Sequence, residues 1–452
     1  MIDKIEKYIN ENNLIKENEN IVVGFSGGAD SVLLLYALSE LQKVHKYNIV
    51  SVHLNHQIRE EDAIRDQKFA KDFSNSLGIK CFIFSVDIKK YATDNKISVE
   101  DAGRIVRYQK FREVLNNYFK KGVIAVGHHK NDDAETILLN LIRGSGSNGL
   151  SGIKPKNKEI VRPLLNLSKL EIKSYLHENK IPYVEDKTNF ENDYIRNKIR
   201  NILIPTIEKD FNPNFVDALT RSSKILEEEN DFLDKYVLDQ LNICDSGFYS
   251  MLDIKNFSKY HLAVQRRIIL KFYEIFKGNK KDITFNNIET IRELILYNKG
   301  EFYLEKYLFY LAYGYLYIVD LNKIPKTKTI LIKSEGQYRF SNKVIKVKKV
   351  LNEEVKLYKN QVVFPTYLLE EGILLRSRRD GDKIRLKGYS KKLKDIFIDE
   401  KVPKHLRDLI PIFIYKNDII WINGFRRVNK YFLDPKDDFM VMIEVEDLDY
   451  VK

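Results

Sequence analysis

Residues 1–210 predict a doubly wound, mainly parallel α/β sheet, followed by a middle domain over 211–358, helical then strand-rich, and a small, basic α+β C-terminal domain over 359–452. Three observations carry that prediction. Short β-branched runs alternate with helical patterns up to residue 210, as a parallel sheet covered on both faces requires. The pattern then turns polar and helical to about residue 298, and strand-like beyond it. Finally, cationic charge concentrates near the end, with twelve Lys or Arg against five Asp or Glu between Arg376 and Arg407.

Taken in order, Ile21-Val22-Val23-Gly24-Phe25 reads as a buried parallel strand, and Val32-Leu33-Leu34-Leu35 as the apolar start of a helix. Between them lies Ser26-Gly27-Gly28-Ala29-Asp30-Ser31, a loop of phosphate-binding size. Gly27 and Gly28 let the backbone approach a ligand, while Ser26, Ser31 and the helix-start amides can donate to phosphate oxygens. It is not a Walker loop, because GxxxxGK[ST] is absent. The bland alternative is an ordinary strand-to-helix turn in which Asp30 or Ser31 caps the helix.

Further strands are predicted at Asn48–Leu54, Lys80–Val86 and Gly122–Gly127, with Val161–Leu165 returning to the sheet. Ligands of such sheets bind beyond the carboxyl ends of the strands, where the polar clusters sit. His53, His56 and Arg59 follow the second strand; a histidine there is more often a structural hydrogen bonder than a catalyst. Ser98-Val99-Glu100-Asp101 opens a helix that carries Arg104, Arg107 and Tyr108. The fourth strand delivers His128-His129-Lys130-Asn131-Asp132-Asp133-Ala134-Glu135. Asp132 and Glu135 share one helical face, although the helix dipole alone also favours acids in a first turn. Gly144–Gly149 reads as a flexible lid, Ser168-Lys169-Leu170-Glu171 as a capping box, and Arg196 and Arg200 as one basic face.

In the middle domain, Glu227-Glu228-Glu229 reads as a solvated face and Arg266-Arg267 as a candidate RNA contact, while the aromatics of Tyr303–Tyr313 read as core. In the last segment, Arg378–Asp382 resembles a turn and Lys391–Phe397 a short basic helix, together a candidate phosphate-backbone site.

Composition bounds the partners. The chain has 452 residues, 44% of them hydrophobic, with a net charge of +12. A basic bias over a globular composition points to a polyanion. Cys81 and Cys244 are the only cysteines, without a CxxC pair, which excludes a disulfide framework or zinc ribbon and suits a reducing cytoplasm. No apolar run is long enough to span a bilayer, so no membrane partner is expected.

The strings SGGADS, EDAGRIVRYQKF, HHKNDDAETILL, RGSGSNGLSGI, DKTN and YIRNKIR, in that order, resemble the tRNA(Ile)-lysidine synthase family of ATP pyrophosphatases. Near the end, RRDGDKI, KKLKDIF and Trp421-Ile422-Asn423-Gly424-Phe425-Arg426 are similar to that family's tRNA-binding C-terminal domain. The family usually has two acids and a glutamine before its Ala-Glu-Thr; here Asn131-Asp132-Asp133 stand there, which leaves the role of position 131 open. The resemblance implies ATP and Mg2+ as cofactors, and a minor isoleucine tRNA and L-lysine as substrates. It further implies that ATP adenylates the wobble cytidine and the lysine ε-amine then displaces AMP. By resemblance, Ser26, Gly27, Gly28, Ala29, Asp30 and Ser31 hold ATP, with Asp30 at the magnesium ion or a proton. Asp132 and Glu135 hold lysine, and Arg107 and Arg196 contact phosphate or base. The oligomeric state stays open, a homodimer included. Two rivals are a tRNA thiolase with the same loop, which needs a nucleophilic or cluster-holding Cys, and a non-catalytic RNA-binding protein that uses ATP structurally. Lysine-dependent release of AMP and pyrophosphate separates the second from a ligase.

Overall fold

A computed structural model of the chain describes residues 1–55, 60–185, 195–352, 357–386, 389–428, 431 and 437–447. They form two compact units, Met1–Phe232 and Leu233–Lys452. His56, Arg59, the Asp186–Asn189 string and Tyr194 lie outside the described residues.

The first unit runs α1 (Ile2–Glu11), β1 (Asn20–Gly24), α2 (Ala29–His45), β2 (Asn48–Asn55), α3 (Glu60–Ser76), β3 (Lys80–Ser85), α4 (Ile88–Asn95), α5 (Val99–Val114) and β4 (Val123–Ala125). It continues through α6 (Lys130–Ile142), α7 (Ser147–Leu150), β5 (Lys156–Asn157), β6 (Ile160–Val161), α8 (Lys169–Glu178), α9 (Ile195–Lys198), a π-helical turn Ile199–Leu203, α10 (Ile204–Asp210) and, as far as Phe232, α11 (Phe215–Gln240). The six strands pair in the order β3-β2-β1-β4-β6-β5, parallel except for β5 at the edge. β1 is central because it is apolar on both faces. Ile21 and Val23 pack with α1, α2 and α8, while Val22 faces Phe111 and Val114 of α5. Helices therefore cover both faces, the doubly wound arrangement expected. The predicted return strand Val161–Leu165 shrinks to Ile160–Val161, because Pro163 has no amide to pair and Leu164 is buried in the loop that follows.

In the second unit, helices Leu262–Lys277 and Phe285–Tyr297 accompany an antiparallel sheet ordered Ile243–Asp245, Tyr249–Asp253, Tyr315–Asp320, Tyr307–Ala312 and Glu301–Leu304. The first two strands fall inside the stretch predicted to be helical. They are too short to show a period of two, and Tyr249–Asp253 pairs with a strand more than sixty residues away. Of the Tyr303–Tyr313 aromatics read as core, Tyr307, Phe309 and Tyr310 are buried, whereas Tyr303 and Tyr313 at the strand ends are exposed. Arg266 donates to Glu289 at 2.6 Å and buried Arg267 to Asp234 at 2.8 Å, so both candidate RNA contacts hold the unit together.

Antiparallel strands dominate the C-terminal part. One sheet joins Ile330–Ile332, Ile373–Arg376, Ile412–Tyr415, Asp418–Ile422 and Arg426–Arg427; another joins Gly336–Phe340, Lys343–Leu351, Phe439–Asp447 and Gln361–Pro365. Arg376 clamps Asp382 through both terminal nitrogens at 2.8 Å, and Asp382 also accepts from Arg379 N at 2.7 Å, which closes the turn read at Arg378–Asp382. Beyond it, Lys383–Leu386 and Tyr389–Lys392 form a hairpin that sets Lys383 opposite Lys392.

Candidate active site

The loop after β1 is organised by Ser31. Its Oγ accepts from Ser26 N at 3.2 Å and Gly27 N at 3.1 Å and donates to Gly28 O at 3.0 Å, while the side chain itself is buried. Gly27 takes φ +89°, which a Cβ would strain, whereas Gly28 sits at φ −72° as the N-cap of α2. No described side chain caps α2, so neither Asp30 nor Ser31 plays the capping part, and the first-turn amides stay open to an anion. Gly127, just past β4, packs against this turn: a Cβ there would lie 3.1 Å from the Asp30 carbonyl carbon.

Asp30 is unusual. Its Oδ1 is enclosed and has no hydrogen-bond partner among the described residues, and its Oδ2 lies 3.6 Å from His129 Nε2. Burial raises its pKa and Asp132 adds to this, while His129, Lys169 and Arg200 pull the other way. Among the described residues no group of three or more acids, histidines or cysteines forms a metal cage. An enclosed carboxylate oxygen without a partner, beside an anion-ready helix start, nevertheless fits Mg2+, which commonly takes one or two protein carboxylates and completes its shell with phosphates and water.

His129 joins the loop to α6. It caps that helix in a reciprocal box: its Nδ1 accepts from Asp132 N at 3.3 Å, and Asp132 Oδ2 accepts from His129 N at 3.0 Å. Asp132 and Glu135 do share a face, and both are buried against arginine. Arg200 donates to Asp132 Oδ1 at 3.0 Å and to Glu135 at 2.6 and 3.0 Å, and Arg196 Nε reaches Glu135 Oε2 at 3.0 Å. Glu135 is only 1% exposed. Burial would raise the Asp132 pKa, but His129, His128, the His129 amide and Arg200 together hold it below the ordinary carboxylate range.

A basic wall of Arg162, Arg104 and Arg196 surrounds His128 beside this pair. Arg104 and Arg107 are exposed and make no ion pair among the described residues, and Arg104 lies over the Tyr108 ring. Arg162, buried, donates from Nε to His128 Nδ1 at 3.2 Å and from Nη1 to Lys154 O at 2.7 Å. Burial, then Arg162, Arg104 and Arg196, push the His128 pKa down to about 4 against the pull of Asp132. Asp133, on the other flank of α6, accepts from Ile153 N at 2.6 Å. Its pKa is pushed up to about 6 by burial, with Glu227 and Asp132 adding to it. Gly152, at φ +64°, leaves room for that carboxylate; a Cβ would sit 2.2 Å from Asp133 Oδ1.

Several expectations change. The glycine-rich lid is fastened: Asn140 Nδ2 donates to Gly149 O at 2.8 Å, and Ser147 and Ser151 both bond to Asn230. His53 Nδ1 donates to Phe25 O at 3.0 Å, a structural contact. Asn131 Oδ1 accepts from Lys169 N at 2.9 Å and so holds the start of α8. From the sequence, His129, Arg162 and Asp133 have no specific role, and Arg200 has only a place with Arg196 on one basic face. For His129 and Arg162 a signal existed, since each lies within a few residues of the carboxyl end of a strand of one parallel sheet.

Comparison with known proteins now decides the family. The PP-loop domain model matches residues 1–207, and the TilS substrate C-terminal domain model matches residues 373–443. A tRNA(Ile)-lysidine synthase of Caldanaerobacter subterraneus subsp. tengcongensis is 35% identical, covering 98% of this chain and 97% of its own. The chain belongs to the tRNA(Ile)-lysidine synthase family. Another member, from Clostridium tetani, is 34% identical over 99% of this chain and 98% of its own. The family's ATP pyrophosphatase fold is the one seen in the first unit, and ATP use comes with it. No helix among the described residues is long and apolar enough to cross a membrane.

Proposed function

We propose that this chain ligates free L-lysine to the wobble cytidine of a minor isoleucine tRNA, in two steps driven by ATP. The observation that carries this reading is the short path from the open α2 start, through Asp30 and His129, to the buried Asp132–Glu135 pair. That path supports reading a triphosphate site and a cation site side by side. In the first step the carbonyl oxygen at position 2 of the cytosine attacks the α-phosphorus, and the bond to pyrophosphate breaks. In the second, the lysine ε-amine, having lost a proton, attacks carbon 2, and the carbon–oxygen bond to AMP breaks.

Each residue has a part. The first-turn amides of α2, with Ser26 and the loop that Ser31 holds in shape, bind the phosphates. Asp30 would hold Mg2+ with its free Oδ1; that ion, when bound, neutralises charge on the departing pyrophosphate. Arg107 and Arg104, unpaired among the described residues, receive phosphate or base charge. Asp132 and Glu135 attract the ε-ammonium, which has to share them with Arg200 and Arg196. We assign these steps to residues 1–210 and tRNA holding to 359–452, where exposed Arg379, Lys383, Lys392, Lys394 and Lys401 have no ion pair among the described residues. A tRNA substrate and two free cysteines suit the cytoplasm. The test is incubation with total tRNA, ATP and labelled lysine; label found anywhere other than the wobble cytidine of an isoleucine tRNA overturns the proposal.

A further inference from the structure

Four groups close a ring around the start of α6. Asp133 Oδ1 accepts from Ile153 N at 2.6 Å, and one residue further Lys154 O accepts from Arg162 Nη1 at 2.7 Å. Arg162 Nε then donates to His128 Nδ1 at 3.2 Å, and residues 128–133 complete the circuit. Two of its members are almost wholly enclosed, Asp133 at 8% and Arg162 at 6% exposure, while His128 is half-buried. The parallel pairing of β4 with β6 makes the ring possible, since His128 follows the one strand and Arg162 the other.

The chemistry of the contacts fixes a protonation state. A guanidinium has donors only and does not lose its proton, so a ring nitrogen that accepts from it carries none. His128 is therefore a neutral imidazole, with its one proton on Nε2. Its neighbours reinforce this: Arg162, Arg104 and Arg196 oppose a second proton and Asp132 alone favours one. The groups acting on Asp133 are Glu227, Asp132 and Arg162, with Tyr8 also close.

We propose that Arg162 and Asp133 are positioning residues for base adenylation, which act by presenting His128 to the phosphates as a neutral Nε2–H donor inside the basic wall. The step named rests on the proposed function; the tautomer does not. A donor that never titrates near neutral pH keeps its orientation and lets the arginines carry the charge.

The experiment is nitrogen NMR of the full chain with labelled histidine, the His128 signal being identified by its loss in His128→Gln. The expected signal is the Nε2–H tautomer at pH 7, still neutral at pH 5.5. In Arg162→Met the tautomer preference should be lost, and the His128 pKa should move toward the ordinary value of about 6.5. Adenylation, read as AMP formation, should fall by about tenfold or more, less than the roughly hundred- to thousandfold cost of removing an oriented donor outright because His128 itself remains, with half-saturating lysine unchanged. Should Arg162→Met fail to fold, Asp133→Ala should open the ring with the same pattern, and Asp133→Asn, which keeps an acceptor oxygen, should restore most of the rate. An Nδ1–H or protonated His128 in the unaltered chain overturns the ring, as does Asp133→Ala adenylating at the full rate. Absence of AMP formation in the unaltered chain overturns the proposed function and the step, while the NMR result still decides the tautomer.

Discussion

Glu135→Gln separates a substrate site from a structural clamp. The carboxylate receives three hydrogen bonds from two guanidiniums and is 1% exposed, whereas Arg196 and Arg200 keep 27% and 26% of their side-chain surface. Breaking a fully buried ion pair costs about 3–5 kcal/mol. Water reaches both arginines, so about 2 kcal/mol is expected here, or roughly 4–8 °C in the melting temperature of a unit this size. If Glu135 also holds the lysine ammonium, a charge-assisted bond worth about 1.5–3 kcal/mol disappears as well, raising half-saturating lysine by roughly 10- to 150-fold. Adenylation should stay within about threefold, because the lost charge acts on the second nucleophile. The assay pairs lysine titration of product formation with AMP release and thermal unfolding of one preparation. Arg196→Gln is the control: it loosens the same carboxylate but leaves its charge, so lysine should bind as well or better. A Glu135→Gln enzyme that melts early yet half-saturates at the ordinary lysine concentration would refute the lysine assignment and leave only the clamp.

Three other outcomes are expected. Asp30→Ala should lower AMP formation by about a hundredfold or more while tRNA binding persists, since one preorganised charge handler is lost; equal turnover in a filter-binding-competent variant removes Asp30 from the reaction. Asp133 links stability to pH. Its folded pKa of about 6 lies above the ordinary carboxylate value, so the native state holds more protons between about pH 4 and 6 and stability falls as pH rises through that window. The displacement is worth about 3 kcal/mol in all, and Asp133→Asn should lack the resulting pH slope when urea unfolding is compared at pH 4.5 and 7.5. Lastly, Lys383→Gln with Lys392→Gln should weaken tRNA binding and flatten the plot of log affinity against log salt by about 0.7–0.9 per lost phosphate contact; an unchanged slope would mean that this like-charged pair faces no phosphate.

Much of the catalytic unit was legible because its signals are local. The run Ile21-Val22-Val23 reads as a strand apolar on both faces, and Asp132 and Glu135 three apart read as one helical face; both follow from periods within a few residues. Arg200 shows where locality ends. Its spacing from Arg196 predicted a shared basic face, but not that the face would be turned onto two acids more than sixty residues earlier. Strand Tyr249–Asp253 went unread for the same reason, its partner Tyr315–Asp320 being distant, and the three-residue strand Ile243–Asp245 is too short to show a period. One rule would have reached further. In a parallel sheet, residues just past the carboxyl ends of neighbouring strands meet, so the order β1-β4-β6 alone brings Asp30, His129, His128 and Arg162 into one row.

Asn131 and Asp133 show where an amide and a carboxylate are interchangeable at the start of α6, and where they are not. At both positions the fold asks for an oxygen that accepts from a backbone amide: Lys169 N for Asn131, Ile153 N for Asp133. An amide side chain and a carboxylate each supply one. Either would therefore orient α8 from position 131. The acid at 133 is different, because it adds a buried charge beside Glu227 where an amide would add none. Its burial makes the loop clamp sensitive to pH in this chain, whereas the clamp's geometry needs only the oxygen.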